Sequence, residues 1–218
     1  MPTPISHPAD YGSLARVYDL LAGVAFGGSL RRAQRAALAV GLAGLGPAPR
    51  VLVLGGGTGW VLEPLWQQCP TAQVLYVEVA TAMLTRTQAR LARTPPPANA
   101  HLELRHGSEA DLRPGEQFDA IITFFVLDSF LPHALPTALG HLLAARAPQA
   151  PWLVVDFRPA RTGWRRALLQ AMYFFFRVTV RLQTRFMPPW PSALAALGLQ
   201  LDWEQRFFGN AVAAQVWR

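Results

Sequence analysis

The chain has 218 residues, 51% of them hydrophobic and 15% charged, with a single cysteine, Cys69. That suits one α/β domain with a full core, and it excludes a disordered chain, a disulfide framework and a cysteine metal cluster. The net charge of +7 comes from 20 basic residues, all of them arginine, against 13 acids.

An all-arginine count in an Ala-, Leu- and Pro-rich chain reads as a composition bias, so it is poor support for nucleic-acid binding. The distribution says more. No acid stands between Asp156 and Asp202, a stretch that holds Arg158, Arg161, Arg165, Arg166, Arg177, Arg181 and Arg185. These seven carry the whole excess, since the other 13 arginines are matched by the 13 acids. Residues 1–12 lack the basic-then-apolar pattern of a secretion signal, and Arg177 and Arg181 interrupt the best candidate for a membrane span. A cytoplasmic protein that does not span a membrane is expected.

In chain order, a helical lead-in is predicted over about 13–41, broken at Phe26-Gly27-Gly28. A first strand covers 50–54, and a helix follows over about 59–69, ended by Pro70. A second strand covers 73–78, with a helix near 81–93. Leu102-Glu-Leu-Arg105 alternates as a third strand. Residues 118–125 read as a fourth strand, 135–146 as a helix and 152–157 as a fifth strand. A long helix is predicted over 164–186, closed by Pro188-Pro189. Two last strands, 201–208 and 211–217, are joined by Gly209-Asn210, a dipeptide suited to a hairpin. Alternating β and α units predict a doubly wound α/β fold, with a mostly parallel sheet of seven strands, N-terminal helices and an antiparallel C-terminal hairpin.

The most informative stretch is Val51-Leu-Val-Leu-Gly-Gly-Gly-Thr-Gly-Trp60, a short apolar strand running into glycines at 55, 56, 57 and 59. Glycines there allow a tight turn with positive φ and let a ligand lie against the backbone, facing the free N–H groups of the next helix. This is a nucleotide-type pocket. The dinucleotide fingerprint Gly-x-Gly-x-x-Gly is not met, because its third position falls on Trp60 or Leu62. The second strand ends on Glu78, nineteen residues beyond Gly59, where an acid can accept both hydroxyls of a ribose.

Gly-x-Gly-x-Gly after a strand, with an acid at the tip of the next, resembles the class I S-adenosylmethionine-dependent methyltransferases over roughly residues 45–218. The lead-in Tyr18-Asp-Leu-Leu, Phe-Gly-Gly and Arg-Arg-Ala-Gln is loosely similar to the opening helices of the UbiE-like methyltransferases of quinone biosynthesis. The resemblance implies S-adenosyl-L-methionine as cofactor and methyl transfer to a small acceptor, hydrophobic or aromatic. Gly55, Gly56, Gly57 and Gly59 would lie against the methionine portion, with Glu78 on the ribose and Val79 against the adenine. Ser108, with Glu109 beside it, stands where the family often has the acid that meets the adenine amino group. Residues 124–128 would form the lip facing the transferable methyl, with Phe124 against the cofactor. The family's acid two residues before the first glycine is replaced by Val53.

A general base is needed only for an acceptor that must lose a proton. Asp128 and Tyr18 are the catalytic candidates, ahead of His133 and Asp156. The remaining histidines show no ligand spacing, so no metal is expected. The division expected within a single domain is a helical cap at 1–45, a cofactor-binding half at 46–157, a basic hydrophobic lid at 158–190 and the terminal hairpin at 191–218. Arg177, Arg181 and Arg185 fall on one helical stripe beside Met172, Tyr173 and Phe174. That stripe is either a solvated cap surface or a lid that also touches anionic lipid headgroups. No nucleic-acid partner is expected. Two other functions stay open: a methyltransferase-fold binding protein without catalysis, and a nicotinamide-dependent oxidoreductase.

Overall fold

The computed structural model describes residues 28–158 and 188–218. Seven strands form one sheet in the order β3-β2-β1-β4-β5-β7-β6. They are β1 (Arg50–Leu54), β2 (Gln73–Glu78), β3 (His101–His106), β4 (Ala120–Phe124), β5 (Trp152–Phe157), β6 (Leu201–Phe207) and β7 (Val212–Trp217). The first five are parallel, and β7 runs antiparallel between β5 and β6. The helices are α1 (Ser29–Gly41), α2 (Leu62–Gln68), α3 (Thr81–Leu91), α4 (Leu135–Ala144) and α5 (Trp190–Ala196). The expected fold class is the one observed.

The central strands are apolar on both faces because both are covered, as parallel sheets require. Alternation along β1 divides the core. Val51 and Val53 pack with Ala33, Ala37 and Leu38 of α1 and with Leu62 and Leu65 of α2. Leu52 and Leu54 pack on the opposite side with Leu135 and Leu139 of α4 and Trp190 and Leu194 of α5. Strand order reverses between β1 and β4, so the loops after these two strands open into one crevice, where ligands bind in open α/β sheets.

Several boundaries differ from the sequence reading. The helix after β1 begins at Leu62 rather than near residue 59, because Gly59 sits at φ +75° and two turns precede the helix. The fourth strand is Ala120–Phe124. It stops there because Phe125 has φ +57°. The segment read only as the terminal hairpin opens with α5, whose Trp190 is fully buried. Trp190 belongs to the core, although the sequence reading assigned it to the lid. The long helix predicted over 164–186 and the first lead-in helix lie outside the described residues. No described helix is long and apolar enough to cross a membrane.

Candidate active site

The loop after β1 is built from its glycines outward. Gly55, Gly57 and Gly59 have φ of +63°, +63° and +75°, values that L side chains resist. At Gly57 a Cβ would meet nothing within 4 Å, so its backbone faces open space. At Gly56 a Cβ would fall 2.3 Å from the Tyr76 ring. Gly57 is therefore the loop glycine whose missing side chain leaves open space, whereas Gly55 is required by the approach of Val126 and Gly56 by packing against Tyr76 of β2.

Glu78, 6% exposed at the tip of β2, binds this loop directly. Its Oε2 accepts from the Gly57 N–H at 3.0 Å, and its Oε1 accepts from the Ala80 N–H at 3.0 Å. A carboxylate has about four lone-pair sites, so two N–H donors leave capacity for further hydroxyl donors. Three further side chains fix the loop from beneath. Tyr76 Oη and Thr87 Oγ1 both donate to the Gly57 carbonyl, at 2.9 and 3.1 Å. Arg90 Nε donates to the Thr58 carbonyl at 3.0 Å. Burial holds the Tyr76 phenol well above its usual range, so it stays a neutral donor.

The loop floors a cleft of about 370 Å³ lined by Gly55, Gly56, Gly57, Thr58, Val53 and Trp60 from the β1 side, by Phe124 of β4 and by Phe125 just past it. The start of α1 closes it with Gly28, Leu30, Arg31 and Gln34, and Met83 adds a wall from α3. The structure thus brings Gly55, Gly56, Gly57 and Phe124 together on one surface. Glu78 stands one bond behind that surface, through the Gly57 amide. Val79, beside it, is 64% exposed, an apolar face available to a planar ligand.

Other candidates are placed differently. Gly59 turns toward α3, where a Cβ would meet Thr87 Cγ2 at 2.7 Å. The Ser108 hydroxyl accepts from the Ala110 N–H, and the Ser108 N–H donates to Asp111 Oδ2 at 2.8 Å, so Ser108 caps the short turn that contains Glu109. Neither Ser108 nor Glu109 lines the cleft described above. Asp128 lies in the turn Leu127–Ser129 after β4, with its N–H donating to Asp156 Oδ2 at 3.1 Å. Asp156 is fully buried and also accepts from the Phe157 N–H. Burial first, and the neighbouring Asp128 second, push its carboxyl well above the ordinary range. His133 is exposed in the turn before α4. Tyr18, Arg177, Arg181 and Arg185 lie outside the described residues.

Phe125 carries backbone strain at the lip. Its φ of +57° is an outlier for a bulky residue, and its N–H bond to the Val155 carbonyl at 2.7 Å holds it there. Its ring lies 5.2 Å from that of Phe157. Thr87 and Arg90 were not singled out from the sequence; Arg31 entered only within the lead-in motif and Phe125 only within the 124–128 lip. The signal available for the last was the double Phe at the end of an apolar strand facing the crevice.

The fit of these residues to an adenosyl cofactor is good in its floor and its acid: bare backbone at Gly57, spare acceptor capacity on Glu78 and an exposed apolar Val79. A family model described as a methyltransferase domain matches residues 52–160, half of the chain. The chain belongs to that family. No curated protein sequence matches it.

Among solved structures it is similar to the mitomycin 7-O-methyltransferase MmcR, at 16% identity over 87% of this chain and 53% of that one, with a TM-score of 0.67. A family 2 O-methyltransferase from Planctomyces limnophilus, in complex with apigenin, gives 18% identity, 98% and 63% coverage and a TM-score of 0.69. The N-methyltransferase NodS from Bradyrhizobium japonicum, in complex with S-adenosyl-L-homocysteine, gives 16%, 86% of each chain and 0.62. At these identities the likeness is one of fold. The chain spans 53% and 63% of the length of the first two relatives, less than two thirds of each.

Proposed function

We propose that the chain binds S-adenosyl-L-methionine and transfers its methyl group to a small acceptor, hydrophobic or aromatic. The observation that carries this reading is the Gly57 backbone, open on its cleft side and bonded from behind by Glu78. When bound, the cofactor supplies a methyl group already activated by a sulfonium. What remains for the protein is orientation and exclusion of water. Gly55 and Gly57 provide the surface for the methionine end, Glu78 the acceptor for ribose hydroxyls and Val79 the face for adenine. Phe124 and Phe125 give the β4 side of the cleft an apolar wall, which supports a hydrophobic acceptor. Two similar solved structures are a mitomycin 7-O-methyltransferase and an O-methyltransferase in complex with apigenin.

Asp128, in the turn after β4, is the proposed base for an acceptor that must lose a proton, although it is not among the described residues lining the cleft. The proposed partner is the small-molecule acceptor, and the proposed surface contact is with anionic lipid through Arg177, Arg181 and Arg185, in a cytoplasmic setting. Co-sedimentation with neutral and anionic vesicles at low salt tests that contact, and equal binding to both would end it. For the central reading, calorimetry with S-adenosylmethionine, S-adenosylhomocysteine and NADH is decisive. Heat with the first two and none with NADH is the expected result. Heat with NADH alone would replace the transferase by an oxidoreductase. Binding without methyl transfer to any of a panel of phenols, enols and amines would leave a non-catalytic binding protein.

A further inference from the structure

Arg31 is the sole ionisable side chain among the described residues lining the cleft, and no acid is among them. Val53, at the cleft's base, is apolar and 1% exposed. Arg31 is fixed from the loop side, since its guanidinium carbon lies 5.2 Å from the centroid of the Trp60 ring, and Trp60 directly follows Gly59. Arg35, one turn on, lies 5.5 Å from the same ring and adds a second positive charge. A guanidinium over an aromatic face keeps its N–H edges for other partners and matches a carboxylate bidentately.

An anion is favoured at this end of the cleft, and an ammonium is opposed there. We infer that the amino-acid end of the cofactor is read through its carboxylate, by Arg31 held against Trp60, and that no side-chain carboxylate of the described cleft reads its ammonium. This rests on S-adenosylmethionine being the cofactor. Arg31 is a binding residue in this scheme and takes no part in the methyl transfer.

Calorimetry with three probes tests it: S-adenosylhomocysteine, its deamino form and its decarboxy form. The deamino form is expected to bind within about threefold of the parent, and the decarboxy form about tenfold or more weakly, the size of a charge-assisted pair at a partly exposed site. Arg31→Ala is expected to weaken the parent by a similar factor and then to bind parent and decarboxy form equally, closing the cycle. Arg31→Lys keeps the charge without the planar fork and is expected to fall between. A larger loss for the deamino form would overturn the inference. So would an Arg31→Ala variant that still prefers the parent over the decarboxy form. If the wild-type protein binds the parent but not in this pattern, only the role of Arg31 falls. If it binds none of the three, the cofactor assignment falls with it.

Discussion

At the scale of single residues, the glycine loop is held by a donor and an acceptor on the two peptide groups that flank Gly57. Glu78 takes the Gly57 N–H while Tyr76 and Thr87 serve the Gly57 carbonyl, so the residue with the most open surface is also the most tightly tied. Tyr76→Phe removes one of the two donors to that carbonyl. It is expected to lower stability by about 1 kcal/mol in urea denaturation, the net worth of a typical hydrogen bond; no change in the midpoint would show that Thr87 alone suffices. Gly56→Ala places a Cβ against the Tyr76 ring and is expected to cost about 1–3 kcal/mol by overpacking. The need for positive φ at 55, 57 and 59 was legible in the sequence, because only glycine takes that region freely. The contributions of Thr87 and Arg90 were not. Their partners are backbone carbonyls 30 and 32 residues away, and nothing in local spacing marks such a bond.

At the scale of elements, two carboxyls fix the ends of strands in electrically opposite ways. Glu116 meets Arg105 of β3 through two bonds of 2.7 and 2.8 Å, and the Arg105 guanidinium holds its carboxyl down at about 2. A lowered carboxyl contributes stability above its unfolded value of about 4.3 and loses it as pH falls toward the folded value. Glu116→Gln is therefore expected to cost about 1–3 kcal/mol at pH 7, with the gap from wild type closing near pH 2. Urea midpoints of both proteins at the two pH values check this, and a gap independent of pH would contradict it.

Asp156 behaves the other way. It ties the turn Leu127–Ser129 to β5 from a fully buried position, and its raised carboxyl makes the contribution complete below the unfolded value of about 3.9 and progressively lost as pH rises through the folded one. Asp156→Asn removes that titration. The stability gap between variant and wild type is expected to be largest near pH 4 and to narrow toward pH 8, measured by thermal unfolding. A gap that widens with pH would reverse the sign. Asp156 was legible as a strand-end acid, but its burial was not, since a single Asp in an apolar run looks the same whether it meets water or two amides.

At the scale of the molecule, the doubly wound pattern was readable because each β unit is a short apolar run followed by a helical one. The register of the two faces was implicit in β1 itself, where Val51 and Val53 go to one core and Leu52 and Leu54 to the other. The place of β7 inside the sheet was not drawn from the sequence, although its residues carry the reason. Val-Ala-Ala-Gln-Val-Trp is buried along its whole length, while β6 carries Asp202, Glu204 and Arg206 and forms the edge, where charges guard unpaired backbone. Helix α5 escaped because Pro189 and Pro191 flank its start; a Pro in the first turn is favourable, and Trp190 and Leu194 then fall on one buried face.

The same topology explains why the site lies where it does. The reversal between β1 and β4 opens one crevice at their carboxyl ends, and the glycine loop, Glu78 and the Phe124–Phe125 lip all face or adjoin it.

The most direct measurement is the affinity of S-adenosylhomocysteine for wild type, Gly57→Val and Glu78→Gln, taken with each protein's melting temperature. Gly57→Val fills the open side of the loop and Glu78→Gln removes the anionic acceptor, so each is expected to weaken binding at least about tenfold in a protein that still unfolds cooperatively. Equal affinity in all three, with melting temperatures intact, would contradict the account.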